Sequence, residues 1–202
     1  MKLYFSPGAC SLSPHIVARE AGVAVDLVKV DLKAHKTEDG ADFYQVNPKG
    51  YVPALGLDEG EVLTEGPAIV QYLGDRNPSS GVVPAAGTLP RYRLQEWLGF
   101  INSELHKPFG ALWNPAAADV TKQASKEVLA KRFAYLDGVL AGRPWLMGET
   151  FTAADAYAFT IVNWAQFHDL KLDPYPNLAA FMGRVAARPK VQEALKAEGL
   201  IK

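Results

Sequence analysis

The chain has very little cysteine and almost no net charge. Its 202 residues include one cysteine, Cys10, so an internal disulfide and a cysteine-rich zinc site are excluded and a reducing compartment is expected. Lys and Arg number 21 and Asp and Glu number 22, which gives a net charge of -1. A chain without a basic excess has no general attraction to nucleic acid or to an anionic membrane surface. We therefore expect a cytoplasmic protein with neither nucleic acid nor membrane among its partners.

Long apolar runs and metal-ligand spacings are also missing. No segment approaches the roughly 18 consecutive apolar residues that span a bilayer. The charged start of the chain is followed at once by Pro7 and Gly8, so no secretory signal is expected. The 4 histidines stand at no metal-ligand spacing with carboxylates, and we predict no metal site.

The overall composition is that of a globular protein, and the chain has two parts with different sequence patterns. Apolar residues make up 49% and charged residues 21% of the sequence, which is typical of a folded protein. Up to residue 75 the pattern predicts a strand at 2–5, a helix at 11–21, a strand at 27–30, a hairpin at 54–57 and 61–63 across Asp58, Glu59 and Gly60, and a helix at 67–73. These elements form a compact α/β unit.

Helical periodicity dominates the rest of the chain. Residues 79–89 are rich in Pro, Gly and Ser, which is the composition of a linker. Beyond them, apolar spacing predicts a helix over 91–106, a second apolar stripe over 129–140, and a buried helix over 153–168 that begins with a capping box at Thr152 and Asp155. We predict an α/β domain over 1–78, a linker over 79–89 and an all-α domain over 90–202, with a binding cleft between the domains.

Cys10 lies between the first strand and the first helix. Helix N-termini carry unpaired N–H groups and partial positive charge, so we expect the pKa of this thiol to be lowered. The string Cys10-Ser11-Leu12-Ser13 has the spacing of a redox motif with serine at the second cysteine position, which allows a mixed disulfide with a small thiol. The alternative is a buried cysteine that only packs.

Two further segments of the first domain suit a peptide ligand. Pro53 precedes a strand, and a cis bond there turns the backbone of Val52 outward to pair with an extended chain. Glu65 and Gly66 open a helix whose free N–H groups attract a carboxylate, while Glu65 accepts an ammonium group. Each segment also has an ordinary interpretation, as a turn and as a helix cap. A thiolate, a backbone edge and a binding site for the ammonium and carboxylate of an amino acid together suit a γ-glutamyl tripeptide thiol.

The helical part adds a histidine and several aromatic residues. At 100° per residue, Gly99, Ser103 and His106 share one face of a helix, away from its apolar stripe. His106 on that face is placed to bond a thiolate or to transfer a proton, unless it is simply a surface histidine. Three aromatic residues are candidates for the wall of an apolar pocket, or for the core: Phe109, Trp113 and Trp164.

These motifs resemble the beta class of cytosolic glutathione S-transferases, the bacterial class with an active-site cysteine, over essentially the whole chain. The resemblance is carried by four segments: 7–11 around Cys10, 47–55 around Pro53, 64–66, and 103–107. It implies a thioredoxin-like N-terminal domain, an all-α C-terminal domain and a homodimer. It also implies that glutathione is the co-substrate and is contacted by these residues, some of them across the dimer: Cys10, His35, Val52, Pro53, Glu65, Gly66, Gly99, Ser103, Glu104 and His106.

The implied activity is conjugation of the glutathione thiolate to an electrophilic apolar molecule, with Cys10 and His106 at the sulfur and Tyr4 and Ser11 close to it in sequence. One alternative is glutathione-dependent thiol–disulfide exchange or reductive dehalogenation through a mixed disulfide on Cys10. A second is a non-enzymatic binding protein on the same fold. The chain departs from the class pattern at His35 (often lysine) and Gly99 (often asparagine), and Gly66 stands where other classes carry serine, so we expect weakened glutathione binding.

Overall fold

A computed structural model describes residues 1–58 and 60–202, so Glu59 of the predicted hairpin turn lies outside the described residues. The strands are Lys2–Phe5 (β1), Asp26–Asp31 (β2), Lys36–Thr37 (β3), Ala54–Gly56 (β4) and Val62–Thr64 (β5). The helices are Leu12–Ala21 (α1), Gly66–Asp75 (α2), Leu89–Phe100 (α3), Lys107–Trp113 (α4), Asp119–Leu140 (α5), Ala153–Val162 (α6), Pro176–Ala186 (α7) and Pro189–Ala197 (α8). A π-helical segment, Ile101–His106, joins α3 to α4, and a 3₁₀ segment, Asn163–Phe167, follows α6.

A mixed sheet forms the first part of the chain in the order β3-β2-β1-β4-β5. β1 pairs in parallel with β2 through the crossover helix α1, and in antiparallel with β4, where Leu3 faces Leu55. β4 and β5 form the predicted hairpin. With the helices that follow, this sheet confirms the predicted α/β-plus-helical fold. β3 was not predicted, because two residues carry no periodicity.

Helix α1 joins the sheet to the helical part. It ends at Gly22, whose φ of 67° is the left-handed conformation that glycine adopts without strain. Most of its residues are buried, because it packs against α2 of the first part and against α6 and α8 of the second. One hydrophobic core therefore runs through both parts, from Leu3 and Ile16 to Ile161 and Val191.

The segment 79–89 packs against both parts of the fold. Val82 and Val83 are buried, and the carbonyl of Val82 accepts a hydrogen bond of 2.9 Å from the N–H of Ala153. A Cβ on Gly74 would lie 2.3 Å from the Val83 side chain, so glycine is required for this approach. The Pro- and Gly-rich composition predicts an irregular chain, and the buried valines fix its course.

Helix α6 lies at the centre of the helical part, and all its residues are buried, as its continuous apolar pattern predicts. Its predicted capping box is confirmed. Asp155 accepts hydrogen bonds from the N–H groups of Thr152 at 2.7 Å and Leu146 at 2.8 Å. The helix ends at Val162, and residues 163–167 of the predicted 153–168 helix are 3₁₀. Burial raises the pKa of Asp155 to about 6, although these hydrogen bonds act in the opposite direction.

The predicted helix over 91–106 is interrupted. Ile101–His106 is π-helical, so each residue turns less about the axis than in an α-helix. Gly99 and Ser103 share a face, on which Ser103 donates to the Gly99 carbonyl at 3.0 Å, but His106 turns away from it, so the prediction is wrong for His106. Gly99 and Ser103 are exposed, whereas His106 is half-buried and shares a cleft wall with Asn102. Among the described helices, none has both the length and the apolar composition needed to cross a bilayer.

Candidate active site

A cleft of about 1110 Å³ lies between the two parts of the chain. The sheet side contributes the loop before α1 and the segments on either side of the β4–β5 hairpin, and the helical side contributes α4, α6 and the C-terminal segment. The candidate residues on its wall are Cys10, Val52, Pro53, Glu65, Gly66, His106, Trp113 and Trp164. Its wall also includes residues that the sequence did not single out as site residues: Asn102, Tyr157, Phe167, Leu200 and Ile201.

The Cys10 thiol is half-buried and lies 3.3 Å from the carbonyl oxygen of Val52, to which it donates. Burial raises the pKa of this thiol to about 12, and the negative charge of Glu65 acts in the same direction. The N–H groups of Cys10 and Ser11 favour the thiolate, as the sequence predicts, but their effect is smaller than the loss of hydration. The expected lowering of this pKa is therefore wrong, and Cys10 is a neutral hydrogen-bond donor.

The backbone edge at Val52 lies next to the predicted amino-acid binding site at Glu65 and Gly66. The Val52–Pro53 peptide is cis, as the sequence predicts. The N–H of Val52 has no hydrogen-bond partner among residues 1–58 and 60–202. Glu65 adopts a φ of 71°, which is unusual for a residue with a side chain and is typical of functional positions. Its carboxylate accepts a hydrogen bond of 2.5 Å from the amine of Lys49, so it is already placed to bind an ammonium group.

On the opposite wall, His106 is held by a tyrosine that the sequence analysis treated only as core. Nδ1 of His106 lies 2.7 Å from the hydroxyl of Tyr157, which donates in turn to Oδ1 of Asn102 at 3.1 Å. Burial lowers the pKa of His106 to about 4, so the ring is neutral at neutral pH, although the charge of Glu65 favours protonation. A tyrosine within the predicted buried helix 153–168 needs a hydrogen-bond partner for its hydroxyl. That requirement was the sequence signal that could have indicated Tyr157.

One wall of the cleft is aromatic. The indole of Trp164 is buried and meets the rings of His106 and Trp113 edge-on at 5.0 and 5.8 Å. Trp113 is 49% exposed. Phe109 is fully buried behind Trp164, at 5.6 Å between ring centres, and supports the wall without lining the cleft. Leu200 adds an aliphatic surface from the C-terminal segment.

Comparison with known proteins agrees with this geometry. The family model of the glutathione S-transferase N-terminal domain matches residues 1–75, and that of the glutathione S-transferase C-terminal domain matches residues 100–189. The glutathione S-transferase GstA of Escherichia coli O157:H7 is 46% identical over 99% of this chain and 100% of its own length.

The chain belongs to the glutathione S-transferase family.

Solved structures place it within that family. A bacterial beta-class glutathione S-transferase of Sphingomonas chungbukensis is 48% identical, with a TM-score of 0.96 and 100% coverage of both chains. A sphingomonad glutathione S-transferase complexed with glutathione is 51% identical, with the same TM-score and coverage. The chain is thus a beta-class enzyme with the thioredoxin-like plus helical fold, and the non-enzymatic alternative is set aside. Glutathione is the co-substrate of this family.

Two candidates close to Cys10 in sequence, Ser11 and Tyr4, lie away from the transferase cleft. Ser11 is fully buried, and its hydroxyl accepts from the N–H of Ser6 at 3.2 Å and donates to the carbonyl of Ser6 at 3.3 Å. Ser11 therefore closes the loop before Cys10. Tyr4 packs against Phe43 at 5.6 Å on the other face of the sheet. Neither hydroxyl reaches the cleft wall.

Four of the expected glutathione contacts also lie outside this wall. His35 stacks on Tyr44 at 4.6 Å, and its Nδ1 lies 2.9 Å from the carbonyl of Gly50. The other three lie in the α3–α4 region. Gly99 is exposed on α3, Ser103 donates to its carbonyl at 3.0 Å, and Glu104 accepts from Arg132 at 2.9 Å. Within the described residues, no group of three or more metal-ligating side chains forms.

The loop before Cys10 is held at Gly8. The N–H of Gly8 donates to Glu198 at 2.9 Å, and its carbonyl accepts from the indole N–H of Trp164 at 2.8 Å. The other carboxylate oxygen of Glu198 lies 2.9 Å from Nδ1 of His15, and both side chains are fully buried. The C-terminal segment and the 3₁₀ segment after α6 therefore fix the position of the transferase thiol loop.

We expect Glu198→Gln to loosen this loop. An amide offers one acceptor oxygen where the carboxylate serves two partners, so one buried donor loses its bond, at a cost of about 2 kcal/mol. Urea unfolding should show this loss, and the KM for glutathione should rise several-fold. Glu193→Gln, on an exposed ion pair of α8, which ends just before Glu198, is the matched control. Unchanged stability and KM in Glu198→Gln would contradict the assigned role.

Proposed function

We propose that the chain conjugates the thiolate of glutathione to an electrophilic carbon of an apolar small molecule. The observation that carries this proposal is the set of groups that line one cleft. They are an ammonium acceptor (Glu65), a free backbone edge (Val52) whose carbonyl lies 3.3 Å from the Cys10 thiol, and an imidazole (His106) that meets the aromatic wall at 5.0 Å. These groups match the γ-glutamyl, cysteinyl and thiol parts of glutathione.

The glutathione backbone would lie along the sheet side of the cleft. The γ-glutamyl ammonium replaces the amine of Lys49 at Glu65, and the α-carboxylate faces the N-terminus of α2 at Gly66. The cysteinyl group pairs with the N–H and carbonyl of Val52, as an added strand does. Gly99, Ser103 and Glu104 lie outside this wall, so we propose that they act across a homodimer.

The sulfur would lie between Cys10 and His106. When the cysteinyl N–H of glutathione occupies the Val52 carbonyl, the Cys10 S–H turns from that carbonyl to the glutathione sulfur. Neutral His106 accepts the thiol proton, because the negative charge that forms on the sulfur raises the pKa of the ring. The thiolate then attacks a carbon held against Trp113, Trp164 and Phe167, and the leaving group departs with its electron pair. Proximity in a water-poor cleft supplies most of the acceleration. A free thiol also fits the expected cytoplasmic location.

The second candidate function is thiol–disulfide exchange, or reductive dehalogenation, through a mixed disulfide on Cys10. The observation that favours it is the position of a free cysteine on the cleft wall. The raised pKa of Cys10 argues against it, because the thiolate and not the thiol attacks.

Replacement of Cys10 separates the two functions. We expect the glutathione-dependent rate with chlorodinitrobenzene to stay within about tenfold of wild type in Cys10→Ala, because the variant loses one weak hydrogen bond. The conjugation rate of Cys10→Ser, which keeps a hydrogen-bond donor, should lie between the rates of wild type and Cys10→Ala. Exchange with a glutathione mixed disulfide should fall to background in both variants. Loss of conjugation together with exchange would identify Cys10 as the nucleophile and overturn the proposal.

A further inference from the structure

The hydrogen bonds around Tyr157 determine which nitrogen of His106 carries the proton. The Tyr157 hydroxyl has one hydrogen, and it donates that hydrogen to Oδ1 of Asn102 at 3.1 Å. The oxygen can then only accept in its 2.7 Å contact with Nδ1 of His106. With the Asn102 amide oriented so that its oxygen faces Tyr157, Nδ1 carries the proton in the neutral ring and Nε2 has a free lone pair.

The surroundings hold this arrangement in place. Tyr157 is 2% exposed on the central helix α6, and its ring meets His106 edge-on. Trp164 meets the imidazole edge-on from another direction, so the ring has little room to rotate. The other tautomer would bring two lone pairs together at Nδ1 and the tyrosine oxygen. Nε2 has no hydrogen-bond partner in the described part of the chain, and His106 lies on the cleft wall.

We propose that Tyr157, oriented by Asn102, is a positioning residue that fixes His106 as the Nδ1–H tautomer, so that Nε2 accepts the proton of the glutathione thiol. This inference deepens the proposed function and rests on the role of His106 at the sulfur. Asn102 is supplied by the π-helical segment, which brings it and His106 to the same wall. Tyr157 acts through His106 and does not itself touch the sulfur.

The proton and electron balance of the step is complete. The S–H bond of glutathione breaks as an N–H bond forms at Nε2, which gives a thiolate and an imidazolium whose Nδ1–H stays bonded to Tyr157. The thiolate forms the new C–S bond, the leaving group takes its electron pair, and the proton passes from Nε2 to solvent. Two ionisable groups face this pair from the sheet side: Cys10, which stays neutral, and Glu65, whose carboxylate favours the imidazolium.

The test is a double-mutant cycle with Tyr157→Phe, His106→Ala and the double variant. In Tyr157→Phe we expect kcat/KM to fall about tenfold and the pKa of the bound glutathione thiol, followed by thiolate absorbance, to rise by about one unit. The dissociation constant of glutathione should change less than about twofold. The double variant should match His106→Ala within about twofold, because Tyr157 acts only through that ring. Tyr135→Phe, on an exposed tyrosine, is the control.

Nitrogen NMR of the histidine-labelled enzyme reads the tautomer directly. We expect Nδ1 of His106 to be protonated in wild type and this preference to be lost in Tyr157→Phe. A protonated Nε2 in wild type, or independent effects of the two substitutions, would overturn the role of Tyr157 and leave conjugation standing. A His106→Ala variant with wild-type rate and thiol pKa would overturn the proposed role of His106 itself, and this inference with it.

Discussion

Glu65→Gln is expected to raise the dissociation constant of glutathione roughly fivefold, because a charge-assisted hydrogen bond to the γ-glutamyl ammonium becomes a neutral one. The Glu65 side chain is 54% exposed and pairs with Lys49, so screening by solvent limits the loss of binding free energy to about 1 kcal/mol. Isothermal titration with glutathione measures the change, and the chlorodinitrobenzene rate at saturating glutathione should change less than the affinity.

The control for this prediction is Glu96→Gln. Glu96 pairs with Arg93 on α3 and is not on the cleft wall. Its replacement by Gln removes the same charge from the protein as Glu65→Gln does. A dissociation constant that rises equally in both variants would show that Glu65 acts through the general field of the protein. No change in either would remove Glu65 from the binding site.

Asp155→Ala is expected to lower the free energy of unfolding at pH 7 by about 3–4 kcal/mol, because two buried N–H groups lose their acceptor. Asp155→Asn should lose less, since its amide oxygen retains one of these bonds and no charge remains buried. Urea unfolding followed by fluorescence measures both. Asp173→Ala, at an exposed position, should lie within about 0.5 kcal/mol of wild type.

The pH dependence provides a second measurement on Asp155. Burial raises its pKa in the folded state to about 6 from 3.8, so the folded protein binds more protons than the unfolded chain between these values. This group therefore contributes stability that is fully present below about pH 4 and is lost as the pH rises to about 6. The contribution should disappear in Asp155→Asn. If the difference in unfolding free energy between wild type and Asp155→Asn does not vary over this pH range, the raised pKa is contradicted.

Local signals in the sequence were sufficient for the sheet part of the site. The segment around Cys10, the cis bond before Pro53 and the helix start at Glu65 each depend on residues within a few positions of one another. The structure brings all three to one cleft wall. The sign of the Cys10 pKa shift was not available from the same signals. It depends on hydration, which is removed by residues far away in the chain that pack around the thiol.

The helical side of the site was less accessible to sequence analysis. His106 was singled out, but the π-helical segment changed which residues share its face, and no sequence period marks that change. Tyr157 lies 51 residues from His106, within a helix whose uniform apolar pattern suggested only core. Glu198 lies 190 residues from Gly8, so no local pattern connects the C-terminal segment to the thiol loop.

The two-part fold, the beta-class motifs and the segments that form the sheet side of the cleft could be predicted from the sequence, because they depend on short-range backbone preferences and periodic burial. The charge state of Cys10, the hydrogen bonds of His106 and the anchoring of the loop at Gly8 could not be predicted in this way. Each of these depends on desolvation or on a hydrogen-bond partner from a distant element, and such contacts exist only once the core that joins the two parts has formed.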